Sequence, residues 1–200
     1  MRVTKRNGQS EDYNVEKIHQ VVQWATEDLN GVSLSDIEMN ANLSLYDGIP
    51  TSEIQQILIK SANDLISESA PNYQYSAARL LNMQLRKNVW ASGKKPPDFF
   101  DFIAIRVDNG VYDPAFLEKW SKEDIEKFES YINHSRDDLF TYAGLQQLID
   151  KYLVKNRSTG EIFETPQFAY MLIAMCLFDD MNEVKRAYDS YSTFKINLPT

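Results

Sequence analysis

The sequence predicts a mainly α-helical protein: a small N-terminal β-hairpin resting on a four-helix bundle, then a helical domain with one further β-hairpin. Three observations predict it. Apolar residues recur at three- and four-residue spacing through most of the chain, as on helices buried along one face. Short runs of strand formers flank the turn dipeptide Asn7-Gly8 near the N-terminus. The stretch Ala91–Pro97, ASGKKPP, puts a glycine and two prolines where no helix can continue, and so divides the chain into domains 1–92 and 93–200.

In the first domain the hairpin joins Val3-Thr4 to Ser10–Tyr13. Asn14 stands as an N-cap before an apolar stripe, Val15, Ile18, Val21, Val22 and Ala25, on a helix to about Leu29. Ser33 with Asp36 has the pattern of a capping box and opens a second helix to about Leu45, which Tyr46-Asp47-Gly48 stops. Thr51 reads as the N-cap of a third helix carrying Ile54, Ile57, Leu58, Leu65 and Ile66. Pro71 opens a fourth, with Tyr73, Tyr75, Ala77, Ala78, Leu81 and Leu85 along it and Arg86-Lys87 at its end.

The second domain reads as helices over 98–108, from Pro114 to about Trp120, and from Ser121 to about Ile132, where Ser121 and Asp124 form another capping box. Asn133–Asp138 is a polar loop, and Tyr142–Tyr152 a helix. Leu153-Val154 and Ile162-Phe163 flank the turn residues Arg157–Gly160 as a second hairpin. Thr165-Pro166 opens a strongly apolar helix through Leu177, a last helix spans about Asn182–Ser190, and Ser192–Thr200 is extended.

With 200 residues, 43% hydrophobic and 25% charged, the chain has the composition of a soluble globular protein with a real core. A net charge of −8 argues against nonspecific nucleic-acid binding but leaves room for a local basic pocket. The lone Cys176 excludes a disulfide framework and a zinc-binding cysteine pair, and in its apolar run it reads as a small buried hydrophobe. No stretch approaches about 18 apolar residues, and no leader pattern opens the chain. The expectation is a cytoplasmic protein with no membrane and no nucleic-acid partner. His19 reads as a helix-face residue and His134 as part of a polar loop. The acidic pairs Asp137-Asp138 and Asp179-Asp180 read as solvated, so no metal site is expected.

The candidate binding residues lie in the first hairpin. Lys5 and Arg6 precede the turn, and Lys17 sits in the first helical turn, where the helix dipole disfavours a cation by about 0.3–1 kcal/mol. A bound anion would remove that penalty, and free amides at a helix N-terminus suit phosphate. A solvated hairpin with ordinary surface lysines accounts for the same charges, and the residues alone leave both readings open.

Longer motifs carry a resemblance. Val3-Thr4-Lys5-Arg6-Asn7-Gly8, Lys17-Ile18, and Tyr46-Asp47-Gly48 with Thr51 resemble the ATP-cone. Asp64-Leu65-Ile66, Pro71-x-Tyr73-Gln74-Tyr75-x-Ala77-Ala78-Arg79-Leu80 and Leu85-Arg86-Lys87 resemble the N-terminus of the large, catalytic subunit of class I ribonucleotide reductase, of the enterobacterial and T-even-phage type. In the second half Lys151–Val154, Thr159–Ile162, Glu164-x-Pro166-Gln167-Phe168 and Ser192-Thr193-Phe194-Lys195-Ile196-x-Leu198-Pro199-Thr200 are similar to that subunit's helical region.

The resemblance implies a site for ATP as activator and dATP as inhibitor, with magnesium. Lys5, Arg6, Lys17 and Lys87 would meet the triphosphate. Glu11 and Asn14 would contact the base or the adjoining backbone, Thr51 and Gln55 would lie against the nucleotide, and Val3, Tyr13, Ile18 and Ile54 would wall base and sugar. Each also has a plainer role: Lys87 suits any helix C-terminus, Thr51 any N-cap, Glu11 any surface. Glu53, Gln55 and Gln84 stand where relatives often carry Asp and His, so weak or absent dATP inhibition is expected. The resemblance further implies a homodimeric large subunit and a small partner subunit that supplies the radical and its metal. The family's ten-stranded catalytic barrel would be absent or only begun, so this chain alone would lack the catalytic cysteines and be inactive. It would be completed by the remainder of the large subunit, on the same or a second polypeptide. In that case an apolar partner surface is expected around Phe168–Leu177 and Ser192–Thr200. Thr200 matches a position at the substrate diphosphate. If phage-encoded, the protein would work in the host cytoplasm. A stand-alone cone-bearing sensor is the alternative, although such repressors carry a zinc ribbon that one cysteine cannot form.

Overall fold

The computed structural model describes residues 1–5, 7–90 and 95–198. Arg6 and Thr200 of the candidate site, and residues 91–94 of the expected domain boundary, lie outside the described residues. The chain divides into two compact units: residues 1–84 with 140–150, and residues 85–139 with 151–200. The described residues are mostly helical, with one three-stranded sheet and no barrel. No helix among them is long and apolar enough to cross a membrane.

In the first unit, β1 (Arg2–Thr4) pairs antiparallel with β2 (Ser10–Asp12), and Gly8 takes φ 80° in the turn between them. The helix α1 (Val15–Thr26) starts on Asn14, whose Oδ1 accepts from the Lys17 amide at 3.2 Å. Ser33 caps α2 (Leu34–Asn42) in the same way, accepting from the Asp36 amide at 3.2 Å. Both helices end about three residues before the apolar pattern does. The sequence pattern missed a third strand: β3 (Ile49–Pro50) pairs parallel with β1 and makes the order β2-β1-β3. Two residues ending in proline carry no alternation to read. The strand exists because Ile49 is buried beside Val3 in the core.

This changes the role of Thr51. It is the first residue of α3 (Thr51–Asp64), and Pro50 holds the cap position with no side-chain bond. Likewise α4 (Tyr73–Val89) begins after a turn at Pro71-Asn72. Tyr73 fixes that start: its ring is buried, and its hydroxyl accepts from the Ser33 amide at 3.0 Å. Val3, Val22, Ile37, Ile49, Ile54, Leu58 and Leu80 form one core, against which Tyr142 of α8 (Tyr142–Lys151) also packs.

In the second unit α5 (Phe99–Asp108) is capped by Asp98, a short α6 spans Ala115–Lys119, and α7 spans Lys122–Glu129. Ser121 and Asp124 make the expected capping box, each side chain bonded to the other residue's amide. Replacing Ser121 with alanine is expected to cost about 1 kcal/mol, read as a lower urea midpoint at unchanged slope. The second hairpin is narrow, a single bridge between Lys155 and Ile162. The helix α9 spans Pro166–Leu177 and packs along α10 (Met181–Ser192).

Several expectations for this unit are corrected. The expected polar loop is a 3₁₀ turn, His134–Leu139, and Asp137 within it is buried, not solvated. Cys176 is exposed, because only the last turn of α9 emerges from the core. Of the Phe168–Leu177 stretch expected to await a partner, Phe168–Met175 is mostly buried within the unit, with the Phe168 ring packed at tilted or edge-on angles against Phe99, Phe102, Trp90 and His134. Leu177, Phe194 and Ile196 are the apolar side chains of that region that stay exposed. Residues 193–196 turn back on α10: Phe194 takes φ 57°, and the Lys195 amide donates to Ser190 at 2.9 Å. This closes the helix instead of extending the chain.

Candidate functional site

The site is assembled in the first unit by the hairpin, the starts of α1 and α3, and α2. Strand alternation decides which side chains meet. Val3 faces the core, so Lys5 two residues on projects to the same face, and so does Glu11, the cross-strand partner of Val3. Glu11 pairs with two cations through its two oxygens: Lys5 Nζ lies 2.7 Å from Oε2, within hydrogen-bond distance, and Lys17 Nζ forms a looser ion pair 3.6 Å from Oε1. Lys5, more than Lys17, holds the Glu11 carboxyl below its ordinary value. Thr4 is in register with Pro50, so Lys5 and Thr51 leave the sheet side by side at the start of α3.

Next to this cluster a cleft opens between α1, α2 and α3. It is lined by Tyr13, Val15, Ile18, Glu38, Ala41, Asn42, Leu45, Ile54, Ile57 and Leu58. Its volume is about 350 Å3 with the open mouth included, so it is a shallow cleft open to solvent. Apolar walls with a polar rim suit a flat ring whose edges carry donors and acceptors. Burial and the nearby Glu38 carboxylate raise the Tyr13 hydroxyl above its usual range. Glu38 is held from the outside by His19, whose Nδ1 lies 3.0 Å from Oε1. Cations beside a helix start thus stand next to an apolar cleft.

Two family models match the chain: the ATP cone domain over residues 1–88, and the all-alpha domain of ribonucleotide reductase over residues 138–200. Over 204 residues the chain is 47% identical to the ribonucleoside-diphosphate reductase 1 subunit alpha of Escherichia coli K12, covering 99% of this chain and 27% of that protein. The chain belongs to the ribonucleotide reductase family. It is also 44% identical to the ribonucleoside-diphosphate reductase subunit alpha of Enterobacteria phage T4, with 100% of this chain and 27% of that one covered. The corresponding Helicobacter pylori subunit is 36% identical over 99% of this chain and 25% of its own length. The chain therefore spans about a quarter of the length of these reductase relatives.

Of the residues expected to form the cone's site, the structure groups Lys5, Glu11 and Lys17 in one ion cluster. Tyr13, Ile18 and Ile54 share one cleft. Val3 is buried below the cluster, and Asn14 spends its side chain on capping α1. Gln55 is drawn away: it is buried, and its Nε2 donates to the Leu80 carbonyl at 3.0 Å, which ties α3 to α4. Lys87 is exposed on the last turns of α4, within the second unit. Glu53 accepts from the Tyr46 hydroxyl at 2.8 Å. The cone's cleft also includes Glu38 and Asn42, which the sequence did not single out. On an amphipathic helix nothing in the pattern separates a cleft-lining polar residue from a solvated one. Among the described residues, no group of three or more His, Cys, Asp or Glu is placed to hold a metal.

Proposed function

We propose that this chain is the nucleotide-sensing, allosteric part of a ribonucleoside-diphosphate reductase large subunit. It would bind ATP or dATP, with magnesium, and regulate the reduction of ribonucleotides to deoxyribonucleotides for DNA synthesis. One observation carries the reading: the stretch matched by the ATP cone holds the Lys5–Glu11–Lys17 cluster next to an apolar cleft. Lys5 and Lys17, with Arg6, take the phosphates, and Tyr13, Ile18 and Ile54 flank base and sugar. Charge-assisted bonds to phosphate are the strong class of hydrogen bond, and the amides at the start of α3 add to them. The second matched stretch favours a reductase part over a stand-alone sensor.

Functionally the chain would act as two domains, 1–92 for sensing and 93–200 for joining the remainder of the large subunit, in the cytoplasm. Thr200 would then lie toward the substrate diphosphate. The large subunit would form a homodimer, and a small partner subunit would supply the radical and its metal. This chain by itself would not reduce nucleotides, since its single cysteine, Cys176, is on the outer end of α9. Burying Gln55 in the α3–α4 seam removes it from contact with the nucleotide, in keeping with weak dATP inhibition.

Thermal denaturation with ATP and with dATP tests the reading. A ligand at 100 times its Kd stabilises the folded state by about 2.7 kcal/mol, which raises the melting temperature by several degrees. No shift with either nucleotide would sink the proposal. Lys17→Gln and Lys5→Gln are each expected to weaken ATP binding about tenfold, measured by calorimetry.

A further inference from the structure

We propose that Glu11 is a latch that sets the affinity of the cone's anion site: without ligand it holds Lys5 and Lys17, and a polyphosphate must take both cations from it. The proposal rests on the reading of the cone as a nucleotide site. Its basis is the shared carboxylate. Lys5 comes from the end of β1 and Lys17 from the first turn of α1, and they meet at opposite oxygens of one side chain. Two cations brought together at a helix start repel one another and the helix dipole. Glu11 relieves both effects, and so holds the lysines converged before any ligand arrives.

The same charge opposes the ligand. A polyphosphate bound by these lysines lies beside the carboxylate that has lost them. Glu11 is partly exposed, with its side chain at 30%, and the lysines are more open at 44% and 63%. Exposed pairs of this kind are individually weak, so the latch opens readily. Both pairs must open together, however, and apparent affinity falls by the fraction of protein in the open state. The lowered Glu11 carboxyl agrees with a group held by two cations.

Calorimetry of the whole chain with inorganic tripolyphosphate, at about 0.1 M salt, tests the latch. Glu11→Gln keeps the shape and removes the charge, and it is expected to bind tripolyphosphate about three- to tenfold more tightly than the parent. Equal or weaker tripolyphosphate binding by Glu11→Gln, with ATP still binding the parent, overturns the latch and leaves the nucleotide site standing. Failure of ATP to bind the parent overturns the site and the latch with it. A second measurement needs no variant. The Glu11 carboxyl, titrated by carbon-13 NMR in the parent chain, is expected to rise toward its ordinary range when tripolyphosphate saturates the site. A carboxyl that stays low with ligand bound overturns the latch, because the lysines would not have left it.

Discussion

Replacing Asp137 with alanine is expected to destabilise the second unit by about 3–5 kcal/mol. The Asp137 side chain has no exposed surface and accepts from Arg86 Nη2 at 2.6 Å and from Gln167 Nε2 at 2.9 Å. Gln167 passes the network on, accepting from the Tyr188 hydroxyl at 2.9 Å, and that hydroxyl accepts from the Asn133 amide at 2.8 Å. Alanine leaves a mostly buried guanidinium without its counter-ion and a buried amide without its acceptor. Both penalties are large because neither group regains water. Asp137→Asn keeps the shape and one acceptor and is expected to cost about half as much. Urea unfolding followed by fluorescence reads the effect, since Trp90 and Trp120 lie in the second unit and Trp24 in the first. A loss below about 1 kcal/mol would show that the pair is not buried in solution.

The second large effect depends on pH. His134 is wedged edge-on to Trp90 and Phe168, at centroid distances of 5.4 and 5.1 Å, and its Nδ1 meets no hydrogen-bond partner. Burial first, and then the Arg86 charge, push its pKa down to about 4. An unfolded histidine titrates near 6.5. Between these values the unfolded chain binds the proton and the folded chain does not. The stability from a neutral His134 is therefore complete above about pH 6.5, is lost progressively as pH falls, and is gone near pH 4. The full span is about 3 kcal/mol. Burial works the other way on Glu129 and Glu164, whose carboxyls are raised and favour the folded state in acid. The comparison is thus with His134→Phe: between pH 7 and pH 4.5 the parent should lose about 2 kcal/mol more stability than the variant. Parallel pH dependences would mean that His134 is solvated.

How much of this was legible depended on whether the cause was local. The α9 boundaries follow from Thr165-Pro166 and the end of an apolar run, and the Ser121 capping box is readable within four residues. Asp137 was not legible, because its burial is decided by Arg86 and Gln167, and nothing near an Asp-Asp pair announces partners that far along the chain. Cys176 was misjudged for a related reason. An all-apolar helix has no periodicity to show which end leaves the core. In the site, hairpin alternation and the first turn of α1 made the Lys5–Lys17 convergence readable. The α2 contribution, Glu38 and Asn42, and the inward turn of Gln55 depend on how helices pack, which spacing does not encode.

The first unit is drawn from two separated stretches, residues 1–84 and 140–150. Tyr142, from the later stretch, packs on the core built by the earlier one. During synthesis, then, the hairpin and its helices emerge well before the α8 side chain that packs against their core. Closing that long excursion costs little more than closing a shorter one, since loop entropy grows only with the logarithm of length. It does mean that a chain cut after α4 would leave the ribosome with the face meant for Tyr142 uncovered. That face is covered only once more than half of the second unit has been translated.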